Sequence, residues 1–284
     1  MKKIIIAVTM LAGLGLNAAA YFDGGITGTT GPDGYRATKL NLVVGSGSLA
    51  IEPSIASYTS DALDKTYRTY GVRGAWEAEK YTVGGEVGAT PEVNGYSSNY
   101  AGADITFSLT PCSGGNSRLA GPGSRGATRG GQGVTRIDVG ASLRQTMHKN
   151  TAGISDLKTG QTQASLFVGA KVLMANLSGS FTGYSYGAQD AVAAINPVPG
   201  HNFAYPANPR SSVNVRLDLP GYPMVTPFVA YTAAKYKNGV KDSSAYLLGA
   251  YINLSMVMAN VGYQIFNNGS GKDSFLSFGA GVRF

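Results

Sequence analysis

The feature of this chain that most limits its fold is a two-residue hydrophobic rhythm that recurs along nearly its whole length. In "RIDVGASLRQ", Ile137, Val139, Ala141 and Leu143 fall on one face, and Arg136, Asp138, Ser142 and Arg144 on the other. Val213, Val215, Leu217 and Leu219 likewise oppose Ser212, Asn214, Arg216 and Asp218. Leu166, Val168, Ala170 and Val172 oppose Gln163, Ser165 and Lys171, and Val257, Ala259, Val261 and Ile265 oppose Asn260 and Gln264. Successive side chains of a strand point to opposite faces, whereas a helix brings residues three and four apart together. The rhythm therefore predicts strands, near 21–28 (short), 38–45, 49–59, 66–77, 80–90, 99–109, 134–147, 161–172, 175–187, 210–219, 224–237, 243–254, 256–267 and 273–284. That makes about fourteen, or twelve if two of the N-terminal segments are not strands.

No long apolar run competes with this reading. The nearest, "AYLLGAYINLSMVMANVGY", is interrupted by Asn253, Ser255 and Asn260 and itself alternates, so it reads as two strands. A continuous apolar stretch does occur at the start. Lys2 and Lys3 precede the run from Ile4 to Leu16, and the small residues Ala18 and Ala20 follow it. A charged segment, an apolar segment and an A-x-A-type site make 1–20 a secretory signal peptide, with Tyr21 first in the mature chain. The competing reading, an anchoring helix, needs roughly 20 apolar residues. Residues 21–284 are then one exported β domain.

Composition narrows the class. Charged residues are only 14% of the chain, glycine numbers 40, and Cys112 is the single cysteine, so no disulfide framework exists. The formal charge of +7 falls to about +5 without Lys2 and Lys3 (7 − 2). No Lys/Arg cluster is interleaved with aromatics, so nucleic acid is not an expected partner.

The connections alternate in length. "NNGSGK", "YKNGVKD", "HKNTAGISDLKTG" and the loop 188–209 are long, while the links near 254–256 and Met174 are minimal. Short turns on one side and long loops on the other mark an up-and-down antiparallel transmembrane β-barrel of about 12–14 strands. In hydrocarbon every backbone N–H and C=O needs an internal partner, so only a closed sheet can span as β structure. A soluble sandwich is the competing reading of the same alternation. Thr110–Gly133, "TPCSGGNSRLAGPGSRGATRGGQG", breaks the rhythm on the side where turns should be short. It has three possible placements: folded into the lumen, disordered, or an outer loop if the strand parity is wrong there.

The last segment, "FLSFGAGVRF", alternates to a terminal Phe284. It resembles the C-terminal signature of Gram-negative outer-membrane β-barrel proteins. The resemblance covers the leader, the final strand and the strand rhythm, and names no particular porin. It implies a place in the outer membrane among its lipids. It also implies recognition by the barrel-assembly machinery, with Phe278, Val282 and Phe284 as the signal. Aromatics near strand ends (Tyr67, Trp76, Tyr81, Tyr100, Tyr184, Tyr186, Tyr231, Tyr236, Tyr246, Tyr263, Phe266 and Phe284) fit interface girdles.

Function follows from what faces inward. Lys39, Glu52, Arg73, Glu77, Glu86 and Asp104 belong to the early strands; Arg136, Asp138, Arg144, Lys171, Arg216, Asp218 and Arg283 to the later ones. Acidic residues lean to the first wall and basic ones to the second. In a water-filled lumen such walls discriminate among ions. The expectation is a porin-like channel for small polar solutes or ions with mild anion preference. Its lining is expected to include Arg73, Glu77, Glu86, Asp104, Arg136, Asp138, Arg144, Lys171, Arg216 and Asp218, with Arg118, Arg125 and Arg129 adding to it if their loop folds inward. Alternatively these groups pair and fill the barrel, and Asp138 with Arg136 or Arg144, and Asp218 with Arg216, are placed to do so. A closed barrel displaying its loops, with Phe203 and Tyr205 in 188–209, is the adhesive alternative. A hydrolase is less favoured, because His148 and His201 show no Ser–His spacing and no G-x-S-x-G is present. No cofactor and no metal site is expected; Asp61 and Asp64 in "DALDK" could hold a loose calcium ion, but a solvated loop is the favoured reading.

Overall fold

The computed structural model of the chain describes residues 20–110, 118–124, 135–151, 157–187, 196–197, 204–205, 207–220, 222 and 224–283. The strands are β1 (Ala20–Thr30), β2 (Arg36–Ser46), β3 (Leu49–Thr59), β4 (Tyr67–Glu77), β5 (Tyr81–Val93), β6 (Tyr96–Ser108), β7 (Thr135–Asn150) and β8 (Leu157–Val172). They continue with β9 (Ala175–Tyr186), β10 (Asn196–Pro197), β11 (Ala204–Tyr205), β12 (Pro209–Asp218), β13 (Val225–Tyr236), β14 (Ser243–Leu254), β15 (Val257–Asn267) and β16 (Lys272–Arg283). All but β10 and β11 form one closed, fourteen-stranded antiparallel barrel, as the rhythm predicts; β10 and β11 pair with each other in the β9–β12 connection. Closure runs from Asp23 opposite Arg283 to Thr30 opposite Leu276.

Several strands exceed their predicted lengths. β7 runs to Asn150, β8 starts at Leu157 and β6 at Tyr96. Most of the added residues, such as "HKN" of β7 and "KTG" of β8, are polar or glycine on both faces, so alternation gives no signal there although the hydrogen-bond ladder continues.

Parity divides the wall. One face carries exposed apolar groups: Val72, Val87, Leu143, Leu166, Phe181, Val215, Leu248 and Phe278 are between 42% and 65% accessible. A closed barrel with an apolar exterior is what a bilayer requires. The other face carries the charged residues of the strand interiors. It also carries Phe228, Ala230 and Leu247 in one buried cluster, and Tyr35, Ala245, Phe266 and Phe275 in another. The strand-end aromatics split accordingly. Trp76, Tyr81, Tyr231, Tyr246 and Tyr263 are exposed outside. Tyr67, Tyr100, Tyr184, Tyr186, Tyr236 and Phe266 have inward parity, so a single outer girdle of all of them is corrected. An aromatic at a strand end satisfies the rhythm on either face.

The rim holding both termini has tight turns at Gly47–Ser48, Leu173–Met174 and Ser255–Met256. At the far rim, Asn94 and Gly95 take φ of 51° and 78°, the left-handed pair that a two-residue hairpin needs. The predicted leader through Ala19 and the terminal Phe284 lie outside the described residues.

Candidate functional site

The pairing register brings the inward charges of β3 to β8 side by side. Glu52 lies opposite Arg73, and Arg73 opposite Glu86. Arg73 is clamped from two sides. Its Nε and Nη2 donate to the two oxygens of Asp104 at 2.9 and 2.7 Å, and its Nη1 donates to Glu52 at 2.7 Å. Gly84 makes room: a Cβ there would sit 2.3 Å from the Arg73 guanidinium. From β7, Arg144 reaches past Gly102 to Glu86, with Nε and Nη2 each at 2.7 Å from one oxygen. Its guanidinium carbon lies 4.5 Å above the Tyr100 ring. These are fork-on-fork pairs, the strongest geometry a guanidinium and a carboxylate adopt.

A second set lies nearer the rim of the termini. Arg136 Nε donates to Asp138 at 3.0 Å, and Arg216 to Asp218 at 2.7 Å through Nη2. Lys171 stands across from Arg136 on one side and Asn176 on the other. Arg283 donates to Asp23 at 2.9 Å across the closing seam, and Tyr21 Oη donates to Glu77 at 2.8 Å.

All ten residues expected to line a pore therefore have inward parity, but their charges are not segregated. The expected acidic wall facing a basic wall gives way to local neutralisation. Arg144 reaches across β6 to the acid it pairs with on β5, a partner that spacing along one strand cannot reveal. The pairs Arg136–Asp138 and Arg216–Asp218, two residues apart on one face, were legible. Beyond β12 the inward face of β13 to β15 carries no charged side chain in the described residues.

Lys39 differs from the rest. It has inward parity on β2, opposite Thr27 and Ala56, and is exposed to the lumen. It forms no ion pair among the described residues.

The long 110–133 connection supplies the feature that strand reasoning left open. Its described part, 118–124, lies against the inward faces of β5 to β8. Arg118 is 2% accessible. It donates to Thr82 Oγ1 at 2.9 Å, Ser108 Oγ at 2.7 Å and the Glu79 carbonyl at 3.1 Å, and to the Ala78 carbonyl. Leu119 N–H donates to Asp138 Oδ2 at 2.7 Å. Gly169 leaves space for Leu119 and Ala120, and Gly121 and Gly140 leave space for Phe167. Of the placements open to this segment, its described part takes the lumenal one. Arg125, Arg129 and Cys112 lie outside the described residues.

Near the far rim the inward face becomes aromatic. Tyr58 stacks on Tyr67 at 5.3 Å, Tyr67 meets Tyr96 at 6.3 Å, and Tyr96 Oη lies 2.8 Å from His148 Nδ1. His148 Nε2 lies 2.7 Å from Gln161 Oε1, so both ring nitrogens are engaged. This histidine is a buried structural link with no serine at its nitrogens. His201 lies outside the described residues, and no group of His, Cys, Asp and Glu able to hold a metal ion occurs among the described ones.

No family model matches the chain, and no curated protein matches it. Solved structures do. The chain is similar to CdiB from Acinetobacter baumannii at 10% identity and a TM-score of 0.52, covering 93% of this chain and 60% of that one. It is also similar to NanC porin, at 12% identity and a TM-score of 0.49, over 91% of this chain and 98% of that one. CymD, a monoaromatic hydrocarbon channel, gives 11% identity and a TM-score of 0.49 over 94% and 88%. At such identities the likeness is one of fold. The fold is that of an outer-membrane β-barrel.

Proposed function

We propose that this protein is a narrow outer-membrane channel for small polar solutes or ions, with a mild preference for anions. The observation that carries the reading is Lys39, an inward cation exposed to the lumen that forms no ion pair among the described residues, whereas the inward arginines of the strands are each paired with a carboxylate. Paired groups contribute little net field, so an uncompensated ammonium sets the sign of the potential that a passing ion meets. The segment 118–124 narrows the passage on the side of the termini. In this reading the termini and tight turns face the periplasm, the longer connections face outward, and the last strand, with Phe278, Val282 and Phe284, is the assembly signal.

The test is single-channel recording of the refolded protein in a planar bilayer under a potassium chloride gradient. Discrete steps with a reversal potential favouring chloride are expected. Lys39→Glu should move the reversal potential toward potassium without loss of steps, since no ion pair is broken. An inserted barrel without steps would leave the second reading, a filled barrel that displays loops. That alternative is favoured by the lumenal 118–124 segment and the buried inward aromatics.

A further inference from the structure

Two arginines of the inward face share one arrangement, and only one of them completes it. Arg73 uses both edges of its guanidinium on carboxylates: Nε and Nη2 hold Asp104, and Nη1 holds Glu52 at 2.7 Å. Arg144 repeats the first half. Its Nε and Nη2 hold Glu86 at 2.7 Å each, but its Nη1 donates to no group among the described residues. Exposure separates the two in the same way. The side chain of Arg73 is 6% accessible and that of Arg144 is 37%, the highest among the ion-paired inward arginines. The second edge of Arg144 therefore meets the water of the lumen.

That edge is fixed from behind. Glu86 holds the opposite edge, and Tyr100 backs the face at 4.5 Å. Tyr100 is itself packed over β5, where a Cβ at Gly88 would sit 2.4 Å from it. Gln163 lies directly opposite Arg144 on β8, half-buried, and its amide makes no hydrogen bond among the described residues. A guanidinium edge beside an amide N–H suits a carboxylate, which accepts parallel N–H bonds, and Arg73 shows a guanidinium of this wall bridging two carboxylates. Glu86 repels a second negative group, so a singly charged ligand is favoured over a doubly charged phosphate. Contact with water keeps the hold weak, as passage through a pore requires. We propose that Arg144 Nη1, with the Gln163 amide beside it, is a transit site for the carboxylate of small, singly charged organic acids. The inference deepens the channel reading and rests on it for the solute's passage.

The experiment is a titration of the refolded full chain in detergent micelles with acetate labelled at its carboxyl carbon, read as nuclear magnetic resonance line broadening. Acetamide is the neutral isostere and inorganic phosphate the competitor. The wild type should broaden acetate saturably, leave acetamide sharp, and lose acetate only to phosphate in excess of it. Arg144→Lys keeps a cation against Glu86 but offers no second edge, and should weaken binding about tenfold, the size of one charge-assisted hydrogen bond. Gln163→Leu breaks no ion pair and should weaken it about fivefold; it carries the test where Arg144→Lys fails to form a heat-modifiable barrel. Equal broadening by wild type and variants, broadening of acetamide, or displacement by phosphate below the acetate concentration would each overturn the proposal. Planar-bilayer recording separates it from the channel reading. Steps favouring chloride without acetate binding would overturn the site and leave the channel, whereas acetate binding without steps would support the site and overturn its role in transit together with the channel.

Discussion

The two walls of the lumen solve one problem by different chemistry. From β3 to β8 the inward face is rich in ions, and its arginines are held by carboxylates on their own or another strand. From β13 to β16 most of the inward face is alanine, phenylalanine, leucine and small polar groups. There Phe228, Ala230 and Leu247 pack together, and Phe266 and Phe275 join Tyr35. Arg216 marks the boundary, paired with Asp218 and lying 4.1 Å above the Phe228 ring. The ionic wall depends on specific partners, because a buried charge that loses its partner is costly. The apolar wall depends on volume, and small changes of shape cost it less.

Removing Arg73 should do the most damage. Arg73→Met leaves Glu52 and Asp104 facing each other without their cation, which should cost about 3–5 kcal/mol. Urea unfolding in vesicles measures it. Adding Glu52→Gln and Asp104→Asn should recover much of the loss, because the stranded charges are then gone. A small cost for Arg73→Met alone would show that water solvates this wall well enough to make the pairing incidental. On the other wall, Phe266→Ala should cost about 3 kcal/mol, the low end for a buried phenylalanine. Phe266→Leu should recover most of it. The reversal potential should not move in either variant.

A smaller effect sharpens the contrast between wall and inserted segment. Arg118→Gln removes the charge from hydrogen bonds worth roughly 1.5–3 kcal/mol to the segment's docking. The barrel itself should unfold at nearly the same urea concentration. Conductance per step should rise, with more open-state noise, as 118–124 leaves the wall. Unchanged conductance would place the narrowest point elsewhere.

How far each wall could be read in advance follows from the same chemistry. In "RIDVGASLRQ" a polar face and an apolar face are distinct, so the strand, its parity and the inward residues were all legible. In "VTPFVAYTAAKY", β13, Phe228 and Ala230 face in while Val229 and Tyr231 face out. Both faces are apolar, so alternation gives the strand but not which side meets lipid. The strand count and closure were readable, since an amphipathic rhythm without long apolar runs has few other solutions. The Arg144–Glu86 pair was not, because it depends on the register of β5, β6 and β7 together. The docking of Arg118 was equally hidden. It uses backbone carbonyls and hydroxyls, which leave no charge pattern in the sequence. Lys39 was recognised as inward, but its isolation appears only once the inward arginines have found their carboxylates.

The smallest expected effect concerns the turn that joins the charged wall to its neighbour. Leu173 adopts φ of 54°, a left-handed conformation, in the two-residue turn between β8 and β9. For a residue with a Cβ this conformation costs about 1–2 kcal/mol. Glycine relieves that strain but gives the unfolded chain more freedom, which offsets about 0.4–1 kcal/mol of the gain. Leu173→Gly should therefore stabilise the barrel slightly, by under ~1 kcal/mol. Asparagine, which tolerates this conformation better than leucine, should do as well or better. Leu173 is 75% accessible, so little packing is lost in either variant if the side chain meets only water. In detergent micelles the gain should appear in full. In vesicles it should shrink or reverse if Leu173 dips into the interface below the β8–β9 turn, so comparing the two media locates this rim of the charged wall relative to the bilayer.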